Sequence, residues 1–93
     1  MIGSFKGRHA EAVAKNERPK GFPLDLMRPA QRRLAAIMAA TRLEDLRAPP
    51  GNRLEALRGD RAGQHSIRIN DQWRICFRWS GDKAEDVEIV DYH

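Results

Sequence analysis

The stretch from residue 73 to residue 79 alternates strictly between two kinds of side chain. Its odd positions are aromatic or β-branched, and its even positions are two arginines and one cysteine, in the order Trp-Arg-Ile-Cys-Phe-Arg-Trp. Successive side chains of a strand point to opposite faces, so one face suits a hydrophobic core and the other carries cations. The pattern predicts the central strand of a sheet, with Arg74 and Arg78 pointing away from the core.

Helical patterns fill the first half of the chain. Ala10 and Val13 lie at helical spacing within residues 7–16, which predicts a short amphipathic helix. A longer helix is predicted over residues 24–40, because Pro29 is tolerated in a first turn. The apolar stripe of this helix is expected to pack in the core, and it comprises Ala30, Leu34, Ile37, Met38 and Thr41.

Strand patterns follow from residue 52 onward. Extended segments are predicted over residues 54–57, 64–70, 73–79 and 84–90, separated by turns rich in glycine, asparagine and aspartate. Residues 2–5 are expected to add an edge strand. Helices followed by sequence-adjacent strands predict a single α+β domain over the whole chain, with two N-terminal helices packed on one face of a small antiparallel sheet.

Composition favours a small, basic, globular protein. The chain has 93 residues, a hydrophobic content of 41% and a formal net charge of +4. A basic balance favours a polyanionic partner such as nucleic acid or an acidic protein. Cys76 is the only cysteine, and we interpret it as a small buried hydrophobe in a reducing cytosol. No metal-ligand spacing, signal peptide or membrane span is evident, so we expect a cytoplasmic protein without a metal, a cofactor or a membrane partner.

The strand face that points away from the core is predicted to carry three arginines. Adjacent strands lie about 5 Å apart, so these cations would form a cluster. Like charges at that spacing are destabilising, which suggests that something anionic binds them. The alternative is that carboxylates of the chain neutralise the cations. The arginines are Arg68, Arg74 and Arg78, and the candidate carboxylates are Asp60, Asp71 and Glu88.

Four short motifs together resemble the HigB-like branch of the RelE/ParE toxin superfamily. They are residues 54–61 (Leu-Glu-Ala-Leu-Arg-Gly-Asp-Arg), residues 66–70, residues 73–77 (Trp-Arg-Ile-Cys-Phe) and the final Asp-Tyr-His. Each motif is weak alone and fairly specific in combination, and the resemblance spans nearly the whole chain. It implies two helices packed on a small curved antiparallel sheet, in agreement with the pattern of elements.

The resemblance also implies a function and two partners. Toxins of this kind enter the ribosomal A site and cut mRNA there by metal-independent attack of a 2′-hydroxyl. A helix-turn-helix antitoxin neutralises the toxin and represses the operon. We therefore expect a HigA-like antitoxin and a ribosome with mRNA in its A site as partners.

Five catalytic residues are implied position by position. Arg74 resembles the arginine near the scissile phosphate, and Tyr92 and His93 resemble the terminal pair of the family. Arg58 stands where relatives have a lysine or an arginine. Glu55 stands where HigB-like relatives often have a histidine, and a glutamate at a comparable place is the proposed base in YoeB-like toxins. We expect His93 to act as the acid because histidine titrates near neutrality, and Glu55 is our hypothesis for the base.

A second group of side chains is expected to bind RNA phosphates. It comprises three cations and one amide, namely Arg61, Arg68, Arg78 and Asn70. Asn70 occupies a place where some relatives have another arginine. This departure weakens the positive charge there, and Arg68 partly compensates for it.

Two other functions stay open at this level. A ParE-like toxin that inhibits gyrase shares the fold and needs no RNA-cutting residues. A non-catalytic toxin homologue or RNA-binding module would bind without cleavage. The ending with Tyr92 and His93 favours the nuclease.

Overall fold

The computed structural model describes residues 1–92, and its elements follow the predicted order. Helix α1 spans His9–Ala14, and a 3-10 turn at Leu24–Leu26 leads into helix α2 at Met27–Ala39. Further 3-10 turns lie at Leu43–Arg47, Pro50–Asn52 and Gly59–Arg61. The strands are β1 Glu55–Ala56, β2 His65–Arg68, β3 Trp73–Ser80 and β4 Lys83–Asp91. The α+β class is confirmed. Among the described residues, no helix is both long enough and apolar enough to cross a membrane.

The four strands form one antiparallel sheet in the order β1-β2-β3-β4, which is the predicted meander. Strand β3 pairs on both sides, so its register places the side chains of both neighbours. Ile75 lies between Ile67 and Ile89 on the core-facing side. On the opposite side, Cys76 lies between Ser66 and Glu88.

One hydrophobic core joins residues of both helices to the sheet. The alternation of β3 is confirmed, because Trp73, Ile75 and Phe77 are buried. The predicted inward residues of the neighbouring strands are buried as well. Phe22, from the loop between the helices, packs edge-to-face on Trp73 with ring centroids 5.1 Å apart. The helical and loop contributors include Ala10, Val13, Phe22, Leu26, Met27, Ala30, Leu34 and Ile37.

Helix α2 departs from its predicted stripe at the C-terminal end. Ala30, Leu34 and Ile37 are buried, but Met38 is 52% exposed, so its assignment to the core is wrong. A residue next to Ile37 is turned about 100° around the helix axis, which carries it off the core-facing stripe. Thr41 is exposed because the helix ends at Ala39, before a further turn can bring position 41 onto the stripe.

The N-terminal segment runs along the free edge of β4, as an edge strand would, but it forms only isolated parallel bridges. Ile2 pairs with Ala84, and Phe5 pairs with Val87. Regular pairing is interrupted because β4 carries a bulge between these two points. Ser4 lies at the bulge, where its hydroxyl accepts a hydrogen bond from the Asp86 backbone N–H at 2.8 Å.

The bulge in β4 inserts one extra residue opposite β3. Cys76 pairs with Glu88 and Arg78 pairs with Glu85, so Asp86 and Val87 together oppose one residue of β3. Asp86 takes the left-handed backbone conformation, with φ of +52°. This conformation is tolerated best by glycine, asparagine and aspartate among the common residues. The inserted residue allows Ala84 and Val87 both to reach the core.

The turn after α2 is closed by the side chain of Asp45. Its carboxylate accepts hydrogen bonds from the backbone N–H groups of Thr41 at 3.0 Å and Arg42 at 3.1 Å. Hydrogen bonds to an ionised carboxylate favour the charged form. These two contacts, with that from Thr41 the larger, hold the pKa of Asp45 below its ordinary value.

We expect Leu34→Ala and Met38→Ala, one turn apart on α2, to differ sharply in stability. Leu34→Ala leaves a cavity in the core and should lower the free energy of unfolding by about 2–5 kcal/mol. Met38→Ala should change it by less than about 0.5 kcal/mol, because the side chain is largely exposed. Denaturant titration followed by tryptophan fluorescence measures both. Equal losses would contradict the assignment of the two faces.

Asp45→Asn should make the melting temperature of the protein less dependent on pH in the acidic range. The pKa of Asp45 is lower in the folded state, so its stabilising effect is complete above the ordinary pKa near 3.8. The effect is lost as the pH falls through the folded-state pKa. The melting temperature of wild type should therefore exceed that of the variant at pH 5, and the gap should close towards pH 2. A gap that stays constant over this range would rule out the titration of Asp45 as its cause.

Candidate active site

The candidate site lies on the outer face, which we define as the sheet face carrying Arg68, Arg74 and Arg78. The sequence predicted this face to be open, but part of it is covered. Ser66 and Cys76, which pair across β2 and β3, are both fully buried. Long side chains of the same face reach over these two small residues, so the surface consists largely of charged groups.

Arg74 is the most firmly held cation of this face. Its Nε donates to the Ser66 hydroxyl at 2.8 Å, and its Nη2 donates to the Arg53 carbonyl at 2.8 Å. Only 12% of its side chain is exposed. Arg53 lies two residues before the start of β1 and adopts a left-handed backbone conformation with φ of +48°. Its carbonyl accepts the hydrogen bond from the guanidinium. One acceptor from β2 and one from the loop before β1 therefore fix the orientation of Arg74.

Two of the predicted catalytic residues lie beside Arg74. Glu55 Oε1 is 3.8 Å from Arg74 Nη2, so the carboxylate of Glu55 pairs with Arg74. The guanidinium carbon of Arg74 lies 6.0 Å from the centroid of the Tyr92 ring. The Tyr92 side chain is 40% exposed, which leaves it accessible to a ligand. His93, the predicted acid, lies outside the described residues.

Arg61 reaches the outer face from the turn between β1 and β2. Its Nη1 donates to Glu88 Oε1 at 3.2 Å and to Gln64 Oε1 at 3.0 Å. Burial, the largest single influence, opposes the charged form, but the hydrogen bond to Glu88 together with the charge interactions with Cys76, Glu88 and Tyr92 raises the pKa of Arg61. Burial also raises the pKa of the Cys76 thiol beneath. Cys76 is free and buried, as the sequence predicted.

Arg68 and Arg78 each have a carboxylate partner from this chain. Arg68 is bonded to Asp71, which is one of the three neutralising carboxylates proposed from sequence. Arg78 donates through Nε at 3.0 Å and Nη2 at 2.8 Å to a single oxygen of Asp86. Asp86 was not one of the three carboxylates proposed from sequence. The outer face therefore carries paired arginines, and the expectation of an uncompensated cation cluster is wrong.

The remaining predicted residues occupy different settings. Asn70 closes the β2–β3 turn, where its side-chain oxygen accepts from the backbone N–H groups of Gln72 at 2.9 Å and Trp73 at 2.7 Å. Its role in RNA binding stays a prediction, beside this structural role. Arg58 is exposed at the start of the Gly59–Arg61 turn, close in sequence to β1.

Ser66 and the Arg53 carbonyl are the site groups that the sequence did not single out. Ser66 lies two positions before Arg68, so strand alternation puts both side chains on the same face. The sequence does not give the register between β2 and β3, which brings Ser66 diagonally against Arg74. Among residues 1–92, no group of three or more His, Cys, Asp or Glu side chains is arranged to hold a metal ion.

Comparison with known proteins assigns the chain to a family. A family model for the RelE-like toxin HigB of type II toxin–antitoxin systems matches residues 5–93. The chain is 38% identical over 80 residues to toxin HigB-1 of Vibrio cholerae serotype O1, which covers 85% of this chain and 84% of that protein. It is 32% identical over 93 residues to endoribonuclease HigB of Proteus vulgaris, over the full length of both.

A third relative carries a less informative name. It is an uncharacterized protein of Haemophilus influenzae, 32% identical over 68 residues, which cover 73% of this chain and 67% of that protein. The family model and the two named toxins agree with the resemblance seen in the motifs of the sequence. The chain therefore belongs to the HigB-like family of RelE-like toxins of type II toxin–antitoxin systems.

Proposed function

We propose that this chain is an endoribonuclease that cuts mRNA in the ribosomal A site without a metal. The observation that carries the proposal is Arg74, which is held in one orientation beside Glu55 and Tyr92 on the outer face. A relative of the same length, 32% identical, is named an endoribonuclease. A fixed cation next to a carboxylate and an accessible aromatic ring suits an RNA phosphodiester.

The proposed reaction divides into two proton transfers around one phosphate. Glu55 accepts the proton of the ribose 2′-hydroxyl, and the 2′-oxygen forms a bond to phosphorus. Arg74 and Arg58 stabilise the negative charge on the phosphate oxygens as it grows. His93 gives a proton to the leaving 5′-oxygen as the phosphorus–oxygen bond breaks. The products are a 2′,3′-cyclic phosphate and a free 5′-hydroxyl, with no water or metal consumed in this step.

Tyr92 and the paired arginines extend the proposed contact to the substrate. The ring of Tyr92 offers a stacking surface for a base, which is a common mode of single-stranded RNA recognition. Phosphates of the mRNA are proposed to replace the carboxylates that now pair with the outer-face cations. The groups proposed to bind them are Arg61, Arg68, Arg78 and Asn70.

The wider setting follows from the family. We propose a single domain over the whole chain, with both helices packed against one sheet face so that the outer face is left to the ribosome and its mRNA. The antitoxin is proposed to be a HigA-like helix-turn-helix protein, and the site of action is proposed to be the cytoplasm. The core shared by α1, α2 and the inward strand residues supports this division of the two faces.

Expression of the chain without its antitoxin should arrest growth, and Arg74→Ala or His93→Ala should relieve the arrest. Loss of the cation or of the acid should each slow cleavage by about 10²-fold or more. Primer extension on mRNA from arrested cells should map discrete cuts within codons. Arg47→Ala, which removes an exposed arginine paired with Glu44, is the control and should remain fully toxic.

The same experiment separates the other candidate functions. Growth arrest without cuts, with accumulation of gyrase-linked DNA breaks, would replace the nuclease by a gyrase inhibitor. Binding to ribosomes with neither cuts nor arrest would leave a non-catalytic module. Full toxicity of His93→Ala would refute the role of His93 as the acid.

Ser66→Ala should lower the cleavage rate through Arg74 alone. Loss of an acceptor to a charged donor costs about 1.5–3 kcal/mol, which corresponds to roughly 10- to 100-fold if it is felt in the transition state. In an Arg74→Ala background the substitution should have no further effect on the rate, because the hydrogen bond is already gone. Equal rate losses in both backgrounds would show that Ser66 acts only through the general stability of the fold.

A further inference from the structure

A broad groove lies between α2 and the segment that follows α1. Its volume is about 1010 Å³. Gln31 of α2 lines the groove. The side-chain amide of Gln31 donates to the Val13 carbonyl at 3.2 Å and to Asn16 Oδ1 at 2.8 Å. Because these contacts already join α2 to the end of α1, a ligand would find the groove formed in advance.

A smaller apolar groove of about 280 Å³ adjoins the first. Gln31 and Ala35 line both grooves, so the two form one continuous surface along the exposed side of α2. Leu24 and Met38, at 72% and 52% exposure, are the two most exposed large apolar side chains of the described residues. Leu24 lines the larger groove and Met38 lines the smaller one. Together the two grooves are called the helix groove below.

The helix groove is basic at the end that holds Leu24. Arg18, Arg28 and Arg32 line this end, against one acidic residue, Asp25. Arg28 and Arg32 are spaced four residues apart on α2, which places them side by side on one helix face, where like charges repel. Arg18 is held at the rim by a hydrogen bond from its Nη1 to the Phe22 carbonyl at 2.9 Å. An anionic ligand would relieve the repulsion between the two helix arginines.

The two halves together favour an acidic peptide over a nucleic acid. Nucleic acids are bound mainly through phosphates, and single strands add stacking on aromatic rings. The smaller half of the helix groove presents mainly aliphatic and thioether side chains, and Phe5 is the one aromatic residue that lines it. A polypeptide with carboxylates at one end and aliphatic side chains at the other would match both the charge and the apolar lining.

We propose that the helix groove is the docking surface for the antitoxin, which fills it with a segment of acidic and aliphatic residues. This proposal rests on the proposed function for the existence of that partner. No residue that lines either groove is among the proposed catalytic or phosphate-binding residues. Antitoxin recognition and RNA cleavage therefore use different side chains, and substitutions can separate them.

The test uses the full chain and, as the proposed antitoxin, the protein encoded by the reading frame adjacent to its gene. The double variant Arg28→Glu/Arg32→Glu is compared with Arg8→Glu/Lys83→Glu, whose exposed residues lie outside the helix groove. Each pair changes the formal charge by the same four units. Affinity is measured by calorimetry in a His93→Ala background, so that expression does not depend on toxicity. Thermal unfolding of each variant checks that the fold is retained.

The groove variant should bind the antitoxin at least about 100-fold more weakly, at tenfold per charge reversed, and the control should bind like wild type. With His93 restored, the groove variant should still arrest growth, and co-expressed antitoxin should no longer rescue it. Leu24→Ser, which leaves the charges intact, should weaken binding as well. Unchanged affinity in the groove variants would overturn the proposal.

The remaining outcomes keep the two proposals apart. Unchanged affinity combined with loss of growth arrest would assign the helix groove to the ribosome or its RNA and would also overturn the proposal. If wild type causes no arrest, the nuclease function fails, but the calorimetric comparison still decides whether the groove binds the neighbouring protein.

Discussion

The division of β3 between two environments is the constraint on which the rest of the structure depends. Ile75 and Phe77 are fully buried on the core side, and burial of each such side chain is worth about 1.5–3 kcal/mol. A shift of register by one residue would expose this row and bury arginines in its place. The core therefore fixes the register, and the register determines which side chains meet on the outer face.

The outer face shows how a dense set of cations can exist on a small domain. Each strand arginine has an acceptor within the chain, so the folded protein does not carry a bare positive cluster. Arg74 differs from Arg68 and Arg78, because its two closest acceptors are neutral oxygens of Ser66 and Arg53. The carboxylate of Glu55 lies farther away, at 3.8 Å, so Arg74 is less fully neutralised within the chain than the other two. Arg68 and Arg78 would first have to give up the carboxylates of Asp71 and Asp86.

Sequence patterns predicted those features that depend on local periodicity. The burial of Trp73, Ile75 and Phe77 follows from alternation, and that of Leu34 and Ile37 follows from helical spacing. Met38 was misplaced because a stripe defined by residue type extends one position too far when methionine lies next to the core-facing row. The motifs supplied the family, since residue types at fixed spacing are what relatives share.

Contacts between strands could not be predicted in the same way. The hydrogen bond from Arg74 to Ser66 requires the register of β2 on β3, and the pairing of Arg78 with Asp86 requires a bulge. The left-handed conformation favours aspartate over glutamate, but nothing in the sequence separates Asp86 from Asp91 in the last strand. The carbonyl of Arg53 depends on a backbone conformation that arginine seldom adopts, so side-chain identity gives no indication of it.

The bulge at Asp86 decides on which side of the sheet Val90 and Tyr92 lie. If the same residues paired one to one without the bulge, the register that starts at Ser80 and Lys83 would continue unchanged, and Glu88 would stand opposite Ile75 in the hydrophobic layer. Val90 and Tyr92 would leave the side occupied by Arg74 in the same step. One left-handed residue in the middle of β4 thus determines which face of the sheet each later residue of the strand occupies. The meeting of Tyr92 with Arg74 is set six residues before Tyr92 itself is reached.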